Sequence, residues 1–134
     1  MESGAADLDG LTIRNCSANQ GGAIYINSAS SVATVDDTTV TNCWATTNGG
    51  AIYNNGTLTL GNGNKSQGTV SITSCSATRG GGLYQNAGTT TIYADATINA
   101  TATEGGAVYH NNGTIYQEGG SITGKAQGTD AAHV

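Results

Sequence analysis

The chain has no proline and no phenylalanine, and its 134 residues carry only four lysines and arginines against nine acids. Too few cations are present to build the clustered phosphate contacts of a nucleic-acid surface. No run of about 18 apolar residues occurs, so no segment reads as a membrane-spanning helix. The three cysteines, Cys16, Cys43 and Cys75, are an odd number and do not make a disulfide framework. Residues 1–10 lack the basic start and apolar run of a secretory leader. The expectation is therefore a processed piece of a longer secreted chain, with retention inside the cell as the other reading. Only 10% of residues are charged, and apolar residues return in register, which argues against disorder.

What the chain does have is repetition. The phrases Gly21-Gly22-Ala23-Ile24-Tyr25, Gly49-Gly50-Ala51-Ile52-Tyr53, Gly80-Gly81-Gly82-Leu83-Tyr84 and Gly105-Gly106-Ala107-Val108-Tyr109 echo one another at intervals of 28, 31 and 25 residues. A period in this range marks a solenoid, in which each repeat is one turn and none can bury a core alone. Abundant Thr, Ser, Asn and Gly with few helix formers favour strands joined by tight turns. The whole chain, 1–134, reads as one all-β domain: a parallel β-helix of about four to five coils. Its units run 21–48, 49–79, 80–104 and 105–134, with 1–20 a partial first coil. Right-handedness is expected from the general preference of parallel crossovers.

The second unit displays one turn clearly. Segments starting at Gly49, Gly56 and Gly68 each have strand character and are closed by Asn, Gly or Ser. Stacking the units predicts inward columns Ile24-Ile52-Leu83-Val108 and Ile13-Val40-Ile72-Ile98-Ile122. Leu58 and Leu60 are matched approximately to Ile92 and Ile115, and residues 61–68 read as a surface loop. Asn27, Asn55, Asn86 and Asn111, two residues after each tyrosine, are expected to form a ladder of stacked amides. The cysteines fall in one column, continued by Thr101 and Lys125. They read as buried, reduced, small inward groups, with a metal site or a disulfide within the column as the alternatives.

With isoleucine inward, its neighbours Tyr25, Tyr53, Tyr84 and Tyr109 face outward as an exposed aromatic ladder, and Trp44, following an inward cysteine, faces out as well. These five are the candidate surface-contact residues. No catalytic, cofactor or metal site is assigned, and no enzymatic activity is expected. Asp36 and Asp95 are the acids placed to act as a pair, each eleven residues after a tyrosine and about 9.5 Å apart if two coils separate them. No Arg, Lys or His stands beside them in sequence. His110 and His133 are isolated, and Arg79 and Glu104, each preceding a Gly-Gly in consecutive coils, are expected to pair at the surface.

From Ile13 to Tyr25 (Ile-Arg-Asn-Cys-Ser-Ala-Asn-Gln-Gly-Gly-Ala-Ile-Tyr) the sequence resembles the repeats of the chlamydial polymorphic outer membrane proteins, and more broadly the secreted β-helix repeat proteins of microbes. The resemblance covers about residues 11–125. It implies a right-handed parallel β-helix of the pectin lyase-like kind, autotransporter-like and adhesive, at the cell surface or outside the cell. The Gly-Gly phrase is faithful. The family's Phe-x-x-Asn phrase is replaced here by Ile13, Val40 or Ile72 followed by x-x-Cys. The expected function is a rigid rod or filament segment that associates end to end with itself, continues a larger parent chain, or contacts a host protein or glycan. The alternatives are a carbohydrate-binding or polysaccharide-active β-helix, and ice binding through flat threonine columns containing Thr57, Thr89 and Thr114.

Overall fold

In the computed structural model, which describes residues 4–126, every regular element but one 3₁₀ turn is a strand. The strands form a parallel β-helix of about four turns. The first sheet stacks Gly4–Asp9, Ser31–Asp36, Thr57–Leu60, Thr89–Ile92 and Thr114–Gln117. The second runs from Thr12–Arg14 through Thr39–Thr41, Val70–Arg79 and Ala96–Glu104 to Ser121–Ala126, with Ser17–Gln20 and Trp44–Asn48 alongside. The third stacks Ile24–Ile26, Ile52–Asn54, Leu83–Gln85 and Val108–His110, the strands that follow the Gly-Gly phrases.

The core is built by columns. Ile24, Ile52, Leu83 and Val108 lie in register, as do Ile13, Val40, Ile72, Ile98 and Ile122. Ile52, Leu83, Val40, Ile72 and Ile98 are wholly buried, each worth about 1.5–3 kcal/mol on the transfer scale. In the first sheet the register is Leu58-Thr90-Ile115 and Leu60-Ile92-Gln117, so a threonine enters the column expected to be aliphatic.

The cysteine column also differs from expectation. Cys75 pairs with Ala100 and then Gly124, whereas Thr101 lies opposite Ser76 and Lys125 opposite Thr101. The register slips between Thr73 and Cys75, where Ser74 is an extra residue in left-handed geometry at φ 55°. Asn15 and Asn42 hold the same geometry in the earlier coils, at φ 58° and 54°. Strand Ala96–Glu104 lacks that residue and runs straight, so everything beyond it shifts by one.

All three thiols are free. Cys43 and Cys75 are buried and point at backbone carbonyls, with Sγ 3.4 Å from Thr41 O and 3.3 Å from Thr73 O, respectively. Cys16, in the first coil, is only partly buried, which corrects the expectation that all three are shielded. Burial pushes the Cys75 thiol up to about 11 and moves Cys43 in the same direction. Since the thiolate is the nucleophile, Cys16 is expected to react with a maleimide first, while Cys43 and Cys75 label only after denaturation. Mass spectrometry of the labelled protein reads this directly, and equal labelling of all three in the folded state would contradict the inward column.

The Gly-Gly corner has two separate requirements. The first glycine of the pair, such as Gly49 at φ +70°, sits where an L side chain is strained. The second has no positive φ in the first three corners (Gly22, Gly50 and Gly81), but a Cβ on Gly50 would come 2.2 Å from Gly81 O and 2.4 Å from Ser76 O. Successive corners therefore touch backbone to backbone.

Candidate functional site

The four tyrosines stack as the sequence predicts, in register along the third sheet. Successive ring centroids lie 5.0, 5.2 and 5.2 Å apart, with interplanar angles of 41°, 11° and 6°. The rings lie on the side of the strand opposite Ile52 and Leu83, but the expectation of a uniformly exposed ladder is corrected. Tyr25 is 36% exposed, whereas Tyr53 and Tyr84 are 7% and 6% exposed. Their faces are spent on neighbouring rings. The Tyr109 ring also lies over the corner, where a Cβ on Gly105 would come 2.6 Å from its Cδ2. Burial, then the neighbouring rings, raises the phenol pKa of Tyr53 and of Tyr84; beside Tyr84, Arg79 opposes the rise.

Arg79 and Glu104 form the expected surface pair, Nε to Oε2 at 2.8 Å, and the Arg79 guanidinium lies 5.8 Å from the Tyr109 ring centre. Both contacts are solvent-exposed and worth at most about 1 kcal/mol each. Trp44 is 51% exposed, between Ser17 and Ser76 in the second sheet. It stands on a different sheet from the tyrosines, so the five candidate residues do not form one site.

Beside the tyrosines runs the asparagine ladder. Asn111 Nδ2 donates to Asn86 Oδ1 at 3.0 Å, and Asn86 Nδ2 to Asn55 Oδ1 at 2.7 Å. At the first coil, Asn55 Nδ2 reaches the backbone carbonyl of Asn27 at 3.4 Å. A shorter ladder joins Asn42 Nδ2 to Asn15 Oδ1 at 2.8 Å. These amides are committed to one another.

A buried polar cluster is a feature sequence reading missed. Asn54 and Gln85 follow Ile26 in an inward column and, with Thr90, are wholly buried. Asn54 Nδ2 donates to Gln85 Oε1 at 3.1 Å and Thr90 Oγ1 at 2.9 Å, while Thr90 Oγ1 donates to Gln85 Oε1. Gly56 N donates to Asn54 Oδ1 at 2.8 Å, and Gln85 Nε2 donates to Ala87 O at 2.7 Å. The alternation Ile52-Tyr53-Asn54 was the available signal, since it places Asn54 on the isoleucine face. A satisfied network of this kind fixes register between coils.

Asp36 and Asp95 are not stacked equivalents. The register Val35-Leu60-Ile92 puts Asp36 level with Gly61 and Tyr93, two residues short of Asp95. Both carboxylates instead hold the loop of residues 61–68. Asp95, nearly buried, accepts from Gly63 N at 2.7 Å and from Asn62 N at 3.0 and 3.1 Å, and Asn62 Nδ2 donates to Asp36 Oδ2 at 2.5 Å.

Desolvation pushes the Asp95 carboxyl up, but the amides of Asn62, Gly63 and Asp95 itself, with Lys65, outweigh it and leave the group below its ordinary value. The stability it contributes is therefore present above the unfolded carboxyl value of about 3.9 and is lost as pH falls through the lower folded value. Asp95→Asn is expected to lower the melting temperature at pH 7 and to converge with the parent in strong acid. Melting curves across that range check it, and an equal gap at every pH would contradict the assignment.

His110 is exposed at the end of the Ile26-Asn54-Gln85 column, with Nε2 2.9 Å from Gly113 O. His133 lies outside the described residues. Among the described residues no three His, Cys, Asp or Glu side chains group as metal ligands. A depression of about 210 Å³ opens beside Ser74, lined by Thr73, Cys75, Asn99, Ala100 and Thr101, where the register slips. No helix among the described residues is long and apolar enough to cross a membrane. No family, no curated protein and no solved structure matches this chain. The class is thus defined by fold alone: a parallel β-solenoid with repeat-wide side-chain ladders.

Proposed function

We propose that the chain is a structural or adhesive segment of an extracellular or cell-surface rod, whose strand edges pair with another coil at either end. The observation that carries this reading is the continuity of the columns. Apolar, tyrosine and asparagine columns extend through consecutive coils, and among the described residues the outermost strands of the first sheet, Gly4–Asp9 and Thr114–Gln117, each have a sheet neighbour on one side only. Partly buried Leu8 and Ile13 at one end, and Ile115 and Ile122 at the other, carry the apolar columns to the edges. Open parallel edges of this kind are templates for further strands. Rods of this design hold surfaces at fixed spacing without needing a reaction centre.

A sugar platform built from the tyrosines has less support, because the inner rings offer edges rather than faces. Light scattering over a concentration series tests the rod reading, alongside binding to cells and extracellular matrix. Mass increasing in whole-chain steps, or saturable adhesion, is expected. A monomer at all concentrations that adheres to nothing overturns it.

A further inference from the structure

We propose that the outward face of the first sheet is an ice-binding surface. Its ligand is the ordered water lattice of an ice crystal. Two outward columns make the face: Thr57, Thr89 and Thr114 in one, and Thr34, Thr59 and Thr91 in the other. Val32 precedes the first column and has the shape of threonine with a methyl in place of the hydroxyl; Tyr116 ends the second. The strands of these coils pair with no register slip, unlike those of the second sheet.

Strand pairing spaces the rows about 4.8 Å apart, and alternate residues on one strand stand about 6.6 Å apart. These repeats are close to those at which oxygen atoms recur on the surfaces of hexagonal ice. Threonine is stiff at χ1, so each methyl and hydroxyl is held in place before binding.

Three further observations select this face. Among the described residues none of its six threonine hydroxyls has a hydrogen-bond partner, whereas the inward Thr90 and Thr38 and the second-sheet pair Thr73–Thr41 are hydrogen-bonded. No charged residue occupies the two columns from Val32 to Tyr116; Asp7, opposite Thr34, and Asp36, two residues beyond Thr34 on the same face, lie at their border. A neutral lattice is matched by neutral groups, while a charge would hold liquid water in its own shell. Finally, the longest insertion, residues 61–68, leaves the sheet beyond Leu60 and is tied back by Asp95 and Asp36. The second sheet also has an outward hydroxyl column, Thr12-Thr39-Ser71-Thr97-Ser121, but Arg14 and Asn99 stand in the column beside it, and the neighbouring register slips at Ser74.

This proposal is independent of the rod reading, since a monomer carries the whole face. Thermal hysteresis and ice-crystal shape are measured on the full chain, with serum albumin as the baseline. The parent protein is expected to facet crystals and to show hysteresis above that baseline. Thr59→Tyr should return it to baseline, whereas Thr39→Tyr on the second sheet should leave it unchanged. Because Thr59 is half-buried, exposed Thr57→Lys provides a second variant, with circular dichroism confirming the fold of each. Baseline behaviour of the parent protein at millimolar concentration overturns the proposal. So does loss on the second sheet with retention on the first, or binding to crystalline cellulose or chitin in place of ice.

Discussion

Ile52→Asp is expected to abolish cooperative folding of the middle coils. Ile52 is wholly buried between Ile24 and Leu83, with no cation among its column neighbours. Truncating such a residue to alanine costs about 2–5 kcal/mol, and a buried unpaired carboxylate costs more. That loss approaches the about 5–15 kcal/mol that holds a typical domain together. Because each coil leans only on its neighbours, a break in the second repeat separates the first coil from the rest. The measurement is a thermal melt followed in the far ultraviolet. Ile52→Val, which keeps the shape, should cost only about 0.5–1.5 kcal/mol, and an unchanged melt for the aspartate variant would place this column outside the core.

Gly50→Ala is expected to have the next largest effect, although only one methyl is added. The new Cβ would meet the carbonyls of Gly81 and Ser76 in the next coil, and backbone cannot rotate out of the way as a side chain can. Overpacking usually costs about 1–3 kcal/mol, occasionally more, and this contact belongs at the upper end because the strands themselves must separate. Gly63→Ala is the comparison. It has positive φ, but a Cβ there would meet nothing nearer than a Tyr93 ring carbon 3.8 Å away. Only the backbone strain of about 1–2 kcal/mol remains there. Denaturant midpoints for the two variants should fall in that order, and a smaller loss at Gly50 would contradict corner-to-corner contact.

The parts of the fold legible in sequence are those fixed by a repeated phrase. Gly-Gly-Ala-Ile-Tyr returns with constant internal spacing, so the isoleucine, tyrosine and asparagine columns could be aligned without knowing the bends between them. The cysteine column could be followed only as far as Cys75. Nothing in the residue type of Ser74 marks it as the extra left-handed residue that the next coil lacks, so the alignment was carried one position too far, to Thr101 instead of Ala100. Asp36 and Asp95 were aligned by counting across a bend that contains an insertion. Position in the sheet depends on hydrogen-bond register, and the count ignored it. Asn54, Gln85 and Thr90 were hidden for a different reason. Polar residues in a strand suggest solvent, and only their mutual hydrogen bonds make burial favourable.

The direction of the tyrosine ladder is legible in the sequence, and its exposure is not. Period-two alternation reports which side of a strand a ring leaves from. It does not report that rings on adjacent coils lie close enough to cover one another, as Tyr53 and Tyr84 do.

In-register stacking of all four repeats is tested most directly by ring-to-ring nuclear Overhauser effects in protein labelled only at tyrosine. Connections from Tyr25 to Tyr53, Tyr53 to Tyr84 and Tyr84 to Tyr109 are expected, since these centroids lie 5.0–5.2 Å apart. Direct Tyr25–Tyr109 contact should be absent. A folded protein showing none of the three sequential connections would contradict the parallel β-helix.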